Sequence, residues 1–401
     1  MAEIEGEAAD YLIALHTNPD EVDSSEWDDL LARQAQPTPF MGHAYLKAMQ
    51  VSGSATEATG WAPCWVTLRR GGQLVGATIT WLKSHSYGEY VFDWAWADAY
   101  QRHGLAYYPK LLCAVPFTPV PGSRFLAVDE ASRLALFSGL REVARSQQLS
   151  SAHVLYLDDA EQAAAKAAGW MLRGGVQFHW QNRQPEPYLD LTDFLASLQR
   201  EKRKKIQQER RKVAEAGIQF KALEGTEITD ADWDFFHRCY ELTYAAHHST
   251  PYLNRDFFSR MAATLPAHWL MFVAEQDGQA VAASLVAIDR SSGVAWGRYW
   301  GAIKPVDCLH FEACYYQPLQ WCIAQRFVRF EGGAQGEHKM ARGLLPVATA
   351  SAHWLAHPQF ARAIEDFLAR EGVGVEAYIG DLKERNPFKR STTPDTTSLP
   401  P

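Results

Sequence analysis

Short apolar runs separated by glycine turns occur along the chain, and one such arrangement appears twice. Residues 65–68 and 73–78 are two apolar-rich runs on either side of a Gly-Gly turn. Residues 270–274 and 279–284 repeat the arrangement around an Asp-Gly turn. Apolar runs joined by a two-residue turn of this kind are typical of β-hairpins. The pattern therefore predicts one hairpin in each half of the chain.

A long spacing relates the two halves. The hairpins lie 206 residues apart, and the same spacing places residues 90–94, which have a strand-like pattern, on residues 296–300. A further match, at a spacing of 208, pairs the Tyr-Tyr sequence at 107–108 with that at 315–316. Repeats of long period indicate a duplicated structural unit. We therefore expect two similar units in tandem.

Each half continues with a helix and a further strand. Residues 132–148 and 311–325 have helical composition, and residues 152–157 and 327–330 have that of buried strands. Strands that alternate with helices predict an α/β (α+β) fold, with mixed sheets flanked by helices.

The same pattern suggests where the units begin and end. The predicted organisation is an N-terminal segment (1–36), a first unit (37–185), a second unit (186–386) and a disordered tail rich in Pro, Thr and Ser (387–401).

One long basic helix is predicted to open the second unit, over residues 193–216, with Thr192 as N-cap and Gly217 as the stop. Such a charge run is often a solvated linking helix. Here it stands against a net charge of −8 for the whole chain, which favours a site for a polyanion such as tRNA or a diphosphate. The candidate donor or polyanion-binding residues are Lys202, Arg203, Lys204, Lys205, Arg210 and Arg211.

Composition narrows the class of protein. The six cysteines show no paired spacing, which indicates reduced thiols and not a disulfide framework. No apolar run has the length of a membrane span, and residues 1–10 do not have the pattern of a signal peptide. These features predict a cytoplasmic protein without a transmembrane segment.

Three segments make the chain resemble the FemAB-like group of the GNAT acyltransferase superfamily: residues 83–94, the basic run at 200–206, and residues 330–346. The resemblance covers residues 39–388. It implies two tandem GNAT-like units, with the basic helix opening the second. It also implies acyl transfer to an amine, because Fem enzymes transfer an amino acid from aminoacyl-tRNA to a peptidoglycan precursor and ordinary GNAT enzymes acylate amines from acetyl-CoA.

The resemblance leaves the acyl donor open. The usual acetyl-CoA signature, Q/R-x-x-G-x-G/A, is absent from residues 301–310 and 98–104. We therefore expect no tightly bound cofactor, with an acyl-CoA or an aminoacyl-tRNA as co-substrate. The expected partners are an amine-bearing acceptor and, for the second kind of donor, tRNA.

The segment 331–339 carries the densest candidate chemistry. It leaves a predicted strand through a glycine-rich turn, where the main chain can approach a ligand closely. His338 has the intrinsic pKa of a base near neutral pH, and Glu337 or Glu331 are alternative bases. Lys339 is predicted to hold an anionic group of the substrate. The competing interpretation is a charged surface turn.

Two further groups are predicted to bind substrate. Arg298 and Tyr299 lie on a predicted apolar strand, where Arg298 needs a partner or an anionic ligand, and Glu331 is the expected partner. The first unit is expected to grip the acceptor through a polar loop. That loop contributes the candidates Lys83, His85, Tyr87, Glu89 and Asp93.

No metal site is predicted, because adjacent residues such as His247 and His248 point apart on a helix. The sequence thus supports an N-acyl or aminoacyl transferase. Two alternatives remain: an acetyl-CoA-dependent N-acetyltransferase, and a non-catalytic module that binds peptidoglycan precursors.

Overall fold

The computed structural model describes residues 11–334 and 336–389. In these residues the strands are β1 (Tyr11–His16), β2 (Trp61–Arg70), β3 (Gln73–Lys83), β4 (Lys110–Cys113), β5 (Leu126–Ala127), β6 (Ser151–Leu155), β7 (Met171–Gln181), β8 (Ile218–Glu224), β9 (Trp269–Gln276), β10 (Gln279–Asp289), β11 (Val294–Ala302), β12 (Arg329–Glu331) and β13 (Leu345–Leu355). The α-helices are α1 (Ser24–Ala32), α2 (His43–Val51), α3 (Trp94–Arg102), α4 (Glu130–Ser146), α5 (Asp159–Ala167), α6 (Leu191–Ser197), α7 (Arg200–Glu215), α8 (Asp230–Ala246), α9 (Arg255–Thr264), α10 (Leu309–Phe311), α11 (Gln317–Ala324) and α12 (Pro358–Glu384). A π-helical turn, Glu312–Tyr316, joins α10 to α11.

The strands form one mixed sheet in the order β1-β2-β3-β4-β6-β13-β7-β12-β11-β10-β9-β8, with β5 beside β3. From either edge the pattern is the same: four strands in antiparallel succession, then a parallel neighbour. The last strands of the two halves are exchanged, because β7 pairs with β12 and β13 pairs with β6. The predicted mixed α/β fold of two tandem units is therefore confirmed, and the two units share a single sheet.

Both predicted hairpins are present. β2 and β3 are joined by Gly71 and Gly72, and β9 and β10 by Asp277 and Gly278; all four residues have positive φ. Two consecutive positive φ values match the right-handed twist of a hairpin, and glycine adopts them without strain.

A helix and a further strand also follow in each half, α4 and β6 in the first and α11 and β12 in the second, but two other matches of the proposed repeat are wrong. Residues 90–93 form an irregular loop and not a strand, and Tyr90 has a φ of 64°. By position in the sheet, the counterpart of β11 is β4. The Tyr-Tyr pairs also differ in setting, because the first precedes β4 and the second lies in the π-helical turn. The resemblance at these places was one of apolar pattern alone.

The predicted long helix is two helices. α6 ends at Ser197 and α7 begins at Arg200, because Leu198 is extended and pairs with Phe388. The N–H of Gln199 donates to the carbonyl of Pro387. These contacts also anchor the first residues of the predicted tail; its remainder, residues 390–401, lies outside the described residues.

The predicted N-terminal segment belongs in part to the sheet. β1 pairs with β2 along its whole length, and α1 buries Trp27 against Trp65. Ten of the 14 tryptophans are buried, which agrees with a core role for most of them. No helix within the described residues combines the length and apolarity that a membrane span requires.

Candidate active site

The candidate site lies where two parallel strands separate. β11 pairs with β12 only over residues 294–296 and 329–331. β12 then ends, whereas β11 continues to Ala302 and stays paired with β10 on its other edge. The pairing with β10 has an irregularity between Leu285 and Val286. One edge of β11 therefore faces an opening.

A cavity of about 370 Å³ occupies this opening. Its size is in the range of small-molecule binding sites. Both units line it: the first contributes Tyr90, Phe117 and Pro119, and the second contributes most of the remaining wall. Aromatic side chains dominate, namely Tyr90, Phe117, Tyr240, Tyr244, Tyr299, Trp300 and Tyr315. Burial raises the pKa of the tyrosines among them, so their phenols stay protonated and can donate hydrogen bonds.

Arg298 and Tyr299, both predicted from the sequence, line this cavity. The expected pairing of Arg298 with Glu331 is wrong. Arg298 Nη2 instead donates to the carbonyl of Phe117, to Thr118 Oγ1 and to the Tyr299 hydroxyl, each at 3.0 Å. Arg298 thus ties β11 of the second unit to a loop of the first.

The glycine-rich turn after β12 forms another part of the wall, through Gly332, Gly333 and Ala334. Gly333 has a φ of 76°, and a Cβ at Gly332 would lie 2.7 Å from Leu344. Lys339 holds this turn, because its Nζ donates to the carbonyls of Gly333 (2.9 Å) and Ala334 (3.1 Å). Lys339 is 3% exposed, and burial lowers its pKa to about 8. The structure therefore gives Lys339 a role in shaping the wall.

His338 lies behind the cavity and reaches it through one tyrosine. Its Nε2 is 3.2 Å from the Tyr315 hydroxyl, and Tyr315 lines the cavity. Burial, then the charges of Arg342 and Lys339, lower the pKa of His338 below its usual value. Glu337 points elsewhere: its carboxylate accepts from the hydroxyl of Tyr378 (2.7 Å) and from Arg385 (3.1 Å).

Glu331 is buried at the end of β12, immediately before the glycine turn. Its Oε1 lies 2.9 Å from Arg329 Nε, and its Oε2 lies 3.7 Å from His179 Nε2 with no hydrogen bond. Burial raises the pKa of Glu331 to about 7, against the opposing charge of Arg329. This carboxyl can therefore take up a proton near neutral pH, although it does not line the cavity.

The predicted acceptor loop of the first unit is mostly internal. Lys110 Nζ donates to Glu89 (2.8 Å) and to Asp93, and all three residues are buried. Burial and the charge of Lys110 act in opposite directions on these acids: burial prevails at Glu89, raising its pKa to about 7, whereas Lys110 lowers the pKa of Asp93. Lys83 is also buried, 3.6 Å above the Trp61 ring, and burial lowers its pKa to about 7. The candidate residues Lys83, Glu89 and Asp93 therefore do not line the cavity.

His85 and Tyr87 lie at the surface of the same loop. His85 Nε2 is 3.1 Å from the carbonyl of Thr59, and Tyr87 is 59% exposed. Neither lines the cavity, whereas Tyr90, three residues further on, does.

The basic face of α7 lies on the outside of the second unit. Lys204, Lys205 and Arg211 are exposed, and Lys202 and Arg203 are half-buried. None of these five has a carboxylate within 4.0 Å in the part of the chain that the structure describes, whereas Arg210 pairs with Glu312 at 3.0 Å. The apolar and acidic residues Ile206, Glu209 and Val213 form the buried face.

Several residues of the cavity were not anticipated. They are Tyr90, Tyr240, Thr243, Tyr244, His310, Cys314 and Tyr315. They come from a first-unit loop, α8, α10 and the π-helical turn, so no local motif unites them; the abundance of aromatic residues was the one available signal. Burial lowers the pKa of His310 to about 4 and raises that of the Cys314 thiol, so both are uncharged at neutral pH.

Within residues 11–334 and 336–389, no group of three His, Cys, Asp or Glu side chains is arranged to hold a metal ion.

The fold agrees with comparisons with known proteins. The profile of the FemAB-like family, described as peptidoglycan biosynthesis/recognition, matches residues 18–390. The chain therefore belongs to the FemAB-like family. The family description indicates a role in peptidoglycan biosynthesis or recognition. No curated protein sequence gives a significant match.

Solved structures share the fold at low sequence identity. FemX has a TM-score of 0.54 and 10% identity, over 86% of this chain and 98% of that one. L-PGS from Bacillus licheniformis has a TM-score of 0.51 and 9% identity, over 86% and 97%. The C-terminal domain of a putative lysylphosphatidylglycerol synthetase from Agrobacterium fabrum has a TM-score of 0.50 and 12% identity, over 87% and 96%.

Proposed function

We propose that this protein transfers an acyl or aminoacyl group to the amine of a peptidoglycan-related acceptor, in the opening between β11 and β12. The observation that carries the proposal is the separation of these two strands beside a cavity. It leaves main-chain N–H and C=O groups of β11 without a partner strand. Such groups bind an extended, amide-bearing donor as they would bind another strand.

The walls supply groups suited to the chemistry. The acceptor nitrogen attacks the acyl carbon, the bond from that carbon to the donor's oxygen or sulfur breaks, and the nitrogen loses a proton. His338, with a lowered pKa, accepts that proton through the Tyr315 hydroxyl. The neutral phenols of Tyr240 and Tyr244 line the cavity and supply donors for the oxyanion of the tetrahedral intermediate.

Direct transfer between two bound substrates fits better than a covalent enzyme intermediate. The thiol that lines the cavity, Cys314, has its pKa raised by burial, and a thiol that stays protonated is a poor nucleophile. Both substrates must then be held together, which agrees with a cavity lined by both units.

The nature of the donor is a separate part of the proposal. Residues 303–308, which lead into α10, lack the glycine-rich pattern that binds a pyrophosphate and include Pro305 and Asp307. The basic face of α7, on which five cations have no carboxylate within 4.0 Å in the described part of the chain, favours a polyanionic donor such as aminoacyl-tRNA. An acyl-CoA remains the alternative donor.

A turnover assay tests the proposal. Purified protein is incubated with acyl-CoAs or aminoacyl-tRNAs as donors and muropeptides as acceptors, and the acylated amine is detected by mass spectrometry. We expect product with one class of donor, and its loss in His338→Ala. Saturable muropeptide binding without product from any donor would instead identify a non-catalytic recognition module. Product with acetyl-CoA alone would identify an N-acetyltransferase.

A further inference from the structure

Arg298 has unused hydrogen-bonding capacity at the cavity. All its hydrogen bonds are made by Nη2, to one carbonyl and two hydroxyl oxygens. Its Nε is buried and has no hydrogen-bond partner in residues 11–334 and 336–389. Within the described residues no carboxylate lies within 4.0 Å of Arg298.

Three buried cations of this protein are matched by carboxylates or carbonyls, and half-buried Arg298 differs from them. Lys110 binds two carboxylates, and Arg342 pairs with Glu209 at 2.9 Å. Arg124, 1% exposed, has no carboxylate pair but donates from all three nitrogens to the carbonyls of Leu155, Gly122 and Val120. Arg298 has neither arrangement.

Two buried lysines, Lys83 and Lys339, have no carboxylate within 4.0 Å among the described residues, but unlike an arginine they can be uncharged. Burial lowers the pKa of Lys83 to about 7 and that of Lys339 to about 8, so both can lose their charge. An arginine stays charged in a protein, and a desolvated charge without a partner costs free energy. Arg298 therefore retains a positive charge that a bound anion would neutralise.

The surroundings of Arg298 select the kind of anion. Neither a lysine nor a second arginine lines the cavity among the described residues. Of its two histidines, half-buried His310 is neutral because burial lowers its pKa to about 4, and His247 is exposed. One guanidinium matches the single charge and planar shape of a carboxylate, whereas a phosphate dianion needs more positive charge. The adjoining walls are aromatic: Phe117, Tyr240 and Tyr244.

We propose that Arg298 binds the carboxylate of an organic monoanion, the size of an amino acid or dipeptide, whose apolar part lies against Phe117, Tyr240 and Tyr244. This inference rests on the proposed transfer function, in that the carboxylate belongs to one of the two substrates. Because Phe117 belongs to the first unit, the ligand contacts both units and its binding requires their relative placement.

The test uses matched probes that differ only in charge: hexanoate against hexanamide, and N-acetylalanine against its amide. Dissociation constants are measured by ligand-observed NMR for the whole protein and its variants. We expect each carboxylate to bind the parent protein about 10-fold or more tightly than its amide, as for a hydrogen bond to a charged group. The preference should disappear in Arg298→Met and persist in Arg362→Met, an exposed arginine of α12 that lines no part of the cavity.

Three results would overturn the inference: no preference in the parent protein, a preference retained in Arg298→Met, or tighter binding of methyl phosphate than of either carboxylate. Melting curves accompany each variant. If Arg298→Met does not fold, Arg298→Lys decides, since it keeps the charge but loses the planar fork and should lose most of the preference. The probes need no turnover, so carboxylate binding without transfer activity would reject the proposed function alone. Normal kcat and KM in Arg298→Met would reject the inference alone.

Discussion

The two units have the same strand order, yet the openings beyond their parallel strands differ. In the first unit, the chain that follows β4 contacts the end of β6, where the N–H of Gly122 donates to the carbonyl of Tyr156, and both Phe117 and Tyr156 are buried. Arg124 lies close by and donates to the carbonyl of Leu155, the last residue of β6. In the second unit the corresponding gap beyond β11 and β12 contains the cavity. Residues of the first unit thus form part of the wall of the cavity in the second unit.

The two units also differ in whether the charged residues predicted to bind substrate are paired within the protein. In the first unit, Glu89 and Asp93 are bound to Lys110 and have no access to a ligand. In the second unit, Arg298 and five basic residues of α7 (Lys202, Arg203, Lys204, Lys205 and Arg211) have no carboxylate within 4.0 Å among the described residues, whereas Arg210 and Lys212 are paired. A dense group of polar residues in the sequence is therefore a poor guide to a site until the structure shows which charges are already paired.

The largest expected effect concerns turnover in the second unit. Tyr315→Phe removes the hydroxyl that connects the cavity to His338, so we expect kcat to fall about 10²–10⁴-fold, as in His338→Ala. Parent activity should also decline on the acid side at a pH below 6.5, since protonated His338 cannot act as a base and its pKa is lowered. The measurement is steady-state kinetics across pH. Tyr188→Phe, which removes a hydroxyl 3.3 Å from Ser197 and outside the cavity, is the matched control. Parent-like rates in both Tyr315→Phe and His338→Ala would place the chemistry elsewhere.

The next prediction compares how much Arg124 and Arg298 contribute to the free energy of unfolding. Arg124→Met leaves three buried carbonyls without their donor, so we expect a loss of about 3 kcal/mol or more in the free energy of unfolding. Arg298→Met removes a charge that is only partly satisfied, so its loss should stay within about 1 kcal/mol. Urea denaturation measures both. Equal losses would mean that Arg298 is structural and would remove the contrast between the openings.

Charge reversal on α7 should affect binding of a polyanion and not folding. In Lys204→Glu/Lys205→Glu we expect weaker tRNA binding and a salt dependence shallower by about two in log–log slope. The melting temperature should not change much, because both side chains are exposed and without acidic partners. A matched control reverses two exposed lysines on other helices, Lys166→Glu/Lys383→Glu. Equal effects of the two pairs on binding would indicate only non-specific charge.

The smallest effect is the pH dependence of stability at Glu331. Its folded pKa of about 7 lies above the usual 4.5, so the folded state binds the proton more tightly and the parent loses stability as pH rises from 4.5 to 7. Glu331→Gln cannot titrate and should avoid this loss. Its stability relative to the parent should rise by on the order of 1–3 kcal/mol over that range. A pH-independent difference in urea denaturation would contradict the raised pKa.

Local features of the fold were predictable, and long-range ones were not. The hairpins followed from turns whose residues adopt positive φ. The exchange of β7 and β13 depends on pairing between strands far apart in sequence, on which a local pattern carries no information. At residues 90–93 a local pattern was misleading. Their apolar pattern indicates a strand, but Glu89 and Asp93 are both paired with buried Lys110, and the chain between them forms a loop.

The candidate site was predictable where unusual residues stood out along the chain. Arg298 is a recognisable candidate because a charge within an apolar strand requires a partner. The glycine turn is a recognisable candidate because several polar residues follow it. The cavity phenols were missed, since Tyr90, Tyr240 and Tyr315 are far apart in sequence and only the shared sheet brings them together.

The most direct test of the account is the position of a bound substrate. Crystals of the protein soaked with a muropeptide that the turnover assay shows to be an acceptor should reveal the ligand between β11 and β12, in contact with Arg298 and Tyr315. Ligand density confined to the first unit, beyond β4 and β6 or at the loop of His85 and Tyr87, would contradict the claim that the second unit holds the reaction site.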